Sequence, residues 1–260
     1  MASSALCKLV NFPVLAVLVL ALVLTGCAHL PSADTSPVAQ QWAQAGADSQ
    51  TATSTAQAAP WQHQLFPGKR RNHYQYVWRQ GRPAMAVSSQ AGISAMRQAQ
   101  SLPALSLGQI QFSWKVAGLI ADADLQQAGK EDSPVRLVLV FDGDRSLFSA
   151  KDAMLSELAR VLTGEELPYA TLMYVWSNHL PVGTVVNNRR TDRIRKLVIQ
   201  SGAAGVNRWQ DYERDIRADY ERVFGAAPGA LKAVALMTDT DNTASEVQAW
   251  YGPVVFKPRP

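Results

Sequence analysis

Cysteine is almost missing from this 260-residue chain: Cys7 and Cys27 are the only two. From Ala28 onward there is no thiol, which excludes disulfide staples, Cys-ligated zinc and a cysteine nucleophile from the body of the protein. Packing alone must hold the fold. Histidine is scarce too, with four in all: His29, His63, His73 and His179. No G-x-S-x-G, H-E-x-x-H or phosphate-binding glycine loop occurs, so the usual marks of serine hydrolases, zinc peptidases and P-loop enzymes are lacking. Beyond Val23 no apolar run approaches the roughly 20 residues that a membrane span needs. Nor does one sign of charge dominate. Lys8, Asp34 and Asp48 are the only charged residues before Trp61, which leaves 24 basic and 19 acidic residues after it, a net of +5. Such a surplus hints at an anionic surface or ligand without requiring one.

What the chain does have begins at its start. Lys8 precedes an apolar stretch, Val14 to Val23, that closes on Leu24-Thr25-Gly26-Cys27. This is the layout of a secretory signal peptide. The last four residues resemble the lipobox of bacterial lipoproteins. The resemblance implies that Cys27 is lipidated and the peptide cut before it, and several acyl chains make a durable membrane anchor. Ala28, in place of an aspartate, implies the outer membrane, with the protein facing the periplasm. From Ala28 to Pro60 the chain is mostly Ala, Gln, Ser, Thr and Pro with one aromatic, Trp42. So little apolar surface predicts a disordered tether. The expected plan is a signal peptide over residues 1–26, lipidated Cys and tether over 27–60, and one domain over 61–260, long enough for a core of its own.

The domain reads mainly as strands. Ile110, Phe112, Trp114 and Val116 alternate with Gln109, Gln111, Ser113 and Lys115, giving one buried and one wet face. Tyr74, Tyr76 and Trp78 alternate before a Gln80-Gly81-Arg82 turn, with Ala84 to Ser88 as the returning partner. Val135 to Phe141 is almost wholly apolar. Tyr169 to Trp176, Thr184 to Val186, Arg193 to Gln200, Leu231 to Met237 and Trp250 to Phe256 complete the strand candidates. Two segments have helical spacing. Ser149 and Asp152 make a capping pattern ahead of Met154, Leu155, Leu158, Val161 and Leu162, with Gly164 as the stop. Tyr212, Ile216, Tyr220 and Val223 recur at the same spacing before Gly225. Many strands, two short helices and no βαβ alternation predict a mainly β fold, a β-sandwich.

Several phrases in fixed order carry a further resemblance. They are Phe112-Ser113-Trp114-Lys115-Val116, Ala121-Asp122, Glu131 to Arg136, Phe141-Asp142, Tyr174-Val175-Trp176-Ser177, Asp219-Tyr220, Phe224-Gly225, Met237 to Thr243, and Tyr251-Gly252. Together they resemble a bacterial domain-of-unknown-function family, number 3047, from about Trp61 to the C-terminus. That family implies no catalytic residues. The end of the chain is also similar to jelly-roll carbohydrate-binding modules of the galactose-binding-like kind, which bears on fold more than function.

Chemistry is suggested in three places. Asp122 with Asp124, Asp142 with Asp144, and Asp239 with Asp241 have the spacing that puts two carboxylates on one side of a strand, where they could hold a hard cation such as calcium. Asp239 and Asp241 are the best candidates, although turn capping is the commoner use of such aspartates. The same carboxylates could serve a glycan hydrolase, if two stood about 5–9 Å apart. Aromatics at strand ends offer stacking surfaces for sugar rings. Trp176, with Asn178, Asn188 and Arg190 supplying polar contacts, forms the expected ligand site. The basic run Arg189, Arg190, Arg193, Arg195 and Lys196 could meet an anionic envelope polymer, or could be the charged face of an edge strand. The sequence therefore predicts a monomeric, non-catalytic binding module for an envelope glycan. A carboxylate-based hydrolase and a protein-binding scaffold are the alternatives, and nucleic acid is excluded by the envelope address.

Overall fold

The computed structural model describes residues 59–257 and 259. Cys27, the signal peptide and most of the tether lie outside the described residues. Among the described residues there are thirteen strands: β1 (Trp61–Leu65), β2 (His73–Arg79), β3 (Arg82–Gln90), β4 (Ile93–Leu102), β5 (Gln109–Val116), β6 (Ser133–Phe141), β7 (Ala170–Ser177), β8 (Val185–Asn187), β9 (Ile194–Ser201), β10 (Gln210–Asp215), β11 (Leu231–Asp239), β12 (Glu246–Tyr251) and β13 (Val255–Lys257). They form a seven-stranded sheet, β1-β4-β11-β6-β7-β9-β8, and a six-stranded sheet in which β10-β5-β12-β3-β2 run in order and β13 joins β5. All pairings are antiparallel except β7 with β9. The fold is a mainly β, jelly-roll-like sandwich with two α-helices.

Alternation decides the layers. Ile110, Phe112, Trp114 and Val116 of β5 point inward, together with Ala249 and Tyr251 of β12, to meet Leu137, Leu139, Leu172, Tyr174, Val234 and Leu236 from the other sheet. Phe112 stacks on Tyr174 across the sandwich, with ring centroids 5.7 Å apart. Tyr251 does more than fill space. The β6–β11 register slips between Met237 and Asp239, and there the Tyr251 hydroxyl donates to Met237 O at 2.6 Å. It also lies 2.9 Å from Thr238 Oγ1. A phenol from one sheet thus satisfies backbone at an irregularity of the other, where an unpaired buried group would be costly.

Most predicted strands are present at close to their expected bounds. The Gln80-Gly81 pair adopts positive φ at both positions, 55° and 75°, as a two-residue hairpin turn requires. The last predicted strand is in fact two, β12 and β13, broken at Gly252-Pro253. A side chain at Gly252 would begin 2.1 Å from Ser113 Oγ, so glycine lets the chain lie against β5 without displacing that hydroxyl. Three strands, β1, β4 and β10, were not expected. Tyr212 belongs to β10, so α2 (Ile216–Phe224) is shorter than the helical spacing suggested.

Helix α1 (Ala150–Thr163) starts as predicted, with Ser149 Oγ accepting from Asp152 N and Gly164 closing it in the left-handed conformation. The side it buries is not the one its apolar residues share. Asp152 and Ser156 are buried, while Met154, Leu158, Val161 and Leu162 face water. The cause is polar: Asp152 accepts from Thr191 Oγ1 at 2.5 Å and lies 3.5 Å from the Arg193 guanidinium, so the hydrogen-bonding side of the helix is the side tied down.

Candidate functional site

The outer faces of the two sheets hold the two concentrations of polar chemistry. On the seven-stranded sheet the outward residues of β4, β6, β7, β9 and β11, among them Ala95, Val138, Val175, Val198 and Met237, form a second apolar layer. Val186 of edge strand β8 extends that layer, and Leu125 and Leu180, from the segments beside it, pack on it. At its edge sit Asp132, Asp239 and Asp241, with carboxylate oxygens within 4.8 Å of one another.

Each of these carboxylates already has protein partners. Asp132 accepts from Asn242 N at 3.2 Å and Nδ2 at 2.9 Å. It also accepts from Thr243 N at 2.8 Å and Oγ1 at 2.6 Å. Burial alone would raise its pKa, but these donations outweigh it and hold the carboxyl below the usual range. Asp241 pairs with Lys69. Asp239 meets the Arg136 guanidinium at 2.8 Å. Burial nevertheless pushes the Asp239 carboxyl up to about 7, against the pull of Arg136, and the neighbouring Asp241 adds to the rise. Lys196 is also buried, and its pKa falls to about 8 through burial first and Arg136 second. The donors and charges present fit a self-sufficient internal network. A cation bound there would have to displace Lys69 and Arg136.

The outer face of the six-stranded sheet is open. Its outward side chains Gln75, Ser88, Asp211, Glu213 and Gln248 are exposed and Gln111 is half-buried, while Ser113, Lys115 and Trp250 on the same side are buried. Between β3, β5, β10 and β13 lies a trough of about 590 Å³, lined by Arg82, Gln111, Ser113, Asp211, Glu213 and Pro253 among others. Its polar groups are paired. Arg82 meets both carboxylate oxygens of Asp211. Glu213 accepts from Gln111 at 2.6 Å and lies 3.6 Å from Lys257. Two carboxylates and two cations leave the trough close to neutral. Arg82 also lies over the Trp209 ring at 5.4 Å. Further along the face Arg79 lies over Trp250 at 4.6 Å.

The expected ligand site is not assembled. Trp176 is on the inner face of β7, 1% exposed, with its indole donating to Gly202 O at 3.0 Å. It is a core residue, because in β7 the aromatic and long aliphatic positions 172, 174 and 176 share the inward side. Asn178 pins the segment before β6, donating to Ile120 O at 2.6 Å and Ala123 O at 3.0 Å. Asn188 accepts from Arg190 N at 2.8 Å to shape the β8–β9 turn, and Arg190 itself is exposed. Because β7 and β9 are parallel, Asn178 and Asn188 stand at opposite ends of β7. The basic run is likewise divided: β9 is not an edge strand, Arg193 binds α1, Arg195 donates to Val223 O, and Lys196 is buried. Of the paired aspartates, Asp124 and Asp144 cap turns at Gln126 N and Ser146 N. Asp239 and Asp241 do come together. Asp132, separated from them by more than 100 residues, completes that group and carried no local signal. The trough residues also come from distant segments, and only the polar side of β5 pointed to them; that side is not wet throughout as expected, since Gln109 is exposed and Gln111 half-buried but Ser113 and Lys115 are buried.

The sandwich and its open polar face define a class by architecture, a jelly-roll-like β domain. The chain belongs to the family described as "Protein of unknown function (DUF3047)", which matches residues 59–255. No curated protein is detectably similar in sequence. Among solved structures it is distantly similar to the xyloglucanase domain of NopAA, a type three effector from Sinorhizobium fredii, solved in complex with cellobiose. That likeness has 8% identity and a TM-score of 0.43, covering 79% of this chain and 96% of that one. Endoglucanase Cel12A from Rhodothermus marinus gives 8% identity and a TM-score of 0.43, covering 77% and 92%. Endoglucanase 3 of family GH12 from Trichoderma harzianum gives 8% and 0.41, covering 80% and 96%. No residue role passes across likenesses this remote.

Proposed function

We propose that this chain is a lipid-anchored envelope protein that binds a neutral glycan in the trough of its six-stranded sheet, without cleaving it. The supporting observation is the trough itself: an exposed sheet face bearing carboxylate, amide and guanidinium pairs in near charge balance. Neighbouring hydroxyls of a sugar ring accept and donate in pairs, and two-pronged groups such as Asp211, Glu213 and Arg82 match them. Exposed ion pairs of this kind contribute little to folding, so their concentration on one open face is better explained by a ligand. Near neutrality argues against an anionic polymer. The anchor rests on Leu24-Thr25-Gly26-Cys27, and on that reading the protein faces the periplasm from the outer membrane.

One observation favours a second reading, a carboxylate-based hydrolase. Asp239 has the raised pKa of a general acid. Against it, Asp239 is 3% exposed and salt-bridged, and its carboxylate neighbours are closer than the roughly 5 Å or more that glycoside hydrolysis uses. An array of neutral oligosaccharides probed with the full chain, followed by a search for released fragments, separates the two. Bound and unaltered sugars are expected; fragments that disappear in Asp239→Asn would establish the hydrolase instead.

A further inference from the structure

Helix α1 presents an apolar stripe to water. Met154 is 64% exposed, Leu158 51%, Val161 71% and Leu162 67%, and Leu147 in the turn before the helix is 62%. Isolated exposed apolar residues are ordinary, but a contiguous helical stripe of them marks a contact surface. The opposite side of the helix is held by Asp152, Ser156 and Arg193, so the stripe is fixed outward and cannot turn into the core.

Two facts indicate what covers it. First, position. β1 begins at Trp61 opposite Gln98, near the end of β4 where Leu102 pairs with Leu231. Leu231 also pairs with Phe141, the end of β6 from which the chain runs into α1. The segment that carries Cys27 therefore joins the domain at the same end of the sheet as α1. The two are three strands apart, about 14 Å. Second, reach. The 33 residues from Cys27 to Ala59 could span at most about 110 Å. Such a length lets the stripe reach the bilayer that holds the anchor.

We infer that α1 docks its Met154–Leu158–Val161–Leu162 stripe into the surface of the phospholipid bilayer that holds the chain's own anchor. This rests on the anchored reading above. A helix of this kind lies in the interface with its apolar side in the acyl boundary. Within α1 Lys151 and Arg160 balance Asp152 and Glu157, so apolar burial drives the contact and lipid charge matters little. A second copy is a poorer occupant. A helix of 14 residues is only about 21 Å long and 10 Å across. A stable protein interface takes about 800 Å² per partner.

The test uses the full chain reconstituted in phosphatidylethanolamine–phosphatidylglycerol vesicles, with the photocrosslinker benzoylphenylalanine in place of Leu158. A control carries it in place of Ala244, an exposed residue in the loop after Asp239, at the end of β11 opposite Leu231 and Phe141. Flotation with the vesicles checks the anchor, and mass spectrometry identifies the adducts. The expected result is a floating chain with several-fold more lipid adduct at position 158 than at 244, lost when Met154→Glu and Val161→Glu are added. A floating chain that crosslinks at 158 to a second copy, or to nothing, overturns the docking and leaves the anchor standing. A chain that does not float overturns both.

Discussion

The two outer faces of this sandwich are built from the same alternating strands and used in opposite ways. On the seven-stranded sheet the outward positions are apolar, loops cover them, and the charges left there, Arg136, Lys196 and Asp239, are 5%, 5% and 3% exposed. On the six-stranded sheet one charge, Lys115, is buried over Trp250, but the ion pair Arg82–Asp211 at the trough stands in water. Burial converts charge into a structural matter, since an ion stripped of water must be matched by its neighbours. Exposure frees charge from that duty and leaves it available to a ligand. On the proposed reading stability rests with the roofed face and recognition with the open one, even though the roofed face holds the more perturbed titrating groups.

The comparison breaks if substitutions on the two faces behave alike. The largest effect is expected beneath the roofed sheet, where Trp176→Ala should cost about 3–5 kcal/mol by leaving a cavity, read as a lowered denaturant midpoint. Arg136→Ala comes next, at roughly 3 kcal/mol near pH 8, because it strands the Asp239 carboxylate in the interior. The same variant should cost less at pH 5, where Asp239 is protonated. In the wild type the folded Asp239 holds its proton up to about 7, above the unfolded value near 3.9. The folded state thus binds more protons between those values, and this contribution to stability is full below pH 4 and lost as pH rises through 7. Melting temperatures from pH 4 to 8 should fall with a slope that Asp239→Asn removes. On the open face, Asp211→Ala with Glu213→Ala should shift stability by less than about 0.5 kcal/mol. Finally, chelation of divalent cations should leave the melting temperature unchanged, because Lys69, Arg136 and the 242–243 backbone already serve the three aspartates; a drop would reveal a bound ion.

Much of the fold was legible in residue pattern and little of the site was. β5 could be read because Ile110 to Val116 alternate strictly, and β6 because its run is apolar on both sides, one facing the core and one the roof. β4, Ile-Ser-Ala-Met-Arg-Gln-Ala-Gln-Ser-Leu, has weak strand propensity and is held by its two neighbours β1 and β11, so tertiary context overrode the local signal. Tyr212 and Ile216 lie four apart on adjoining elements, a strand and a helix, and both turn inward; spacing alone could not separate them. The helices teach the same point. Both α1 and α2 have an apolar stripe, yet Ile216, Tyr220 and Val223 are buried while Met154 to Leu162 are largely exposed, because a buried aspartate network decides which side of α1 faces the domain. For the site, the Asp239–Asp241 spacing was visible but its partners Asp132, Arg136 and Lys69 were not. Gln111 and Glu213 meet through the β5–β10 pairing, and the Arg82 side chain reaches Asp211, 129 positions along the chain, from β3, which does not pair with β10.

The most direct test measures binding on both faces at once. The full chain, Asp211→Ala with Glu213→Ala, and Asp239→Asn would be compared on one array of neutral oligosaccharides, with folding of each checked by its melting curve. Recognition on the open face predicts that the double variant loses on the order of ten-fold in affinity, about 1.4 kcal/mol, while Asp239→Asn binds like the wild type. Binding that survives the double variant and disappears in a folded Asp239→Asn would contradict the account, since it would place recognition on the roofed face.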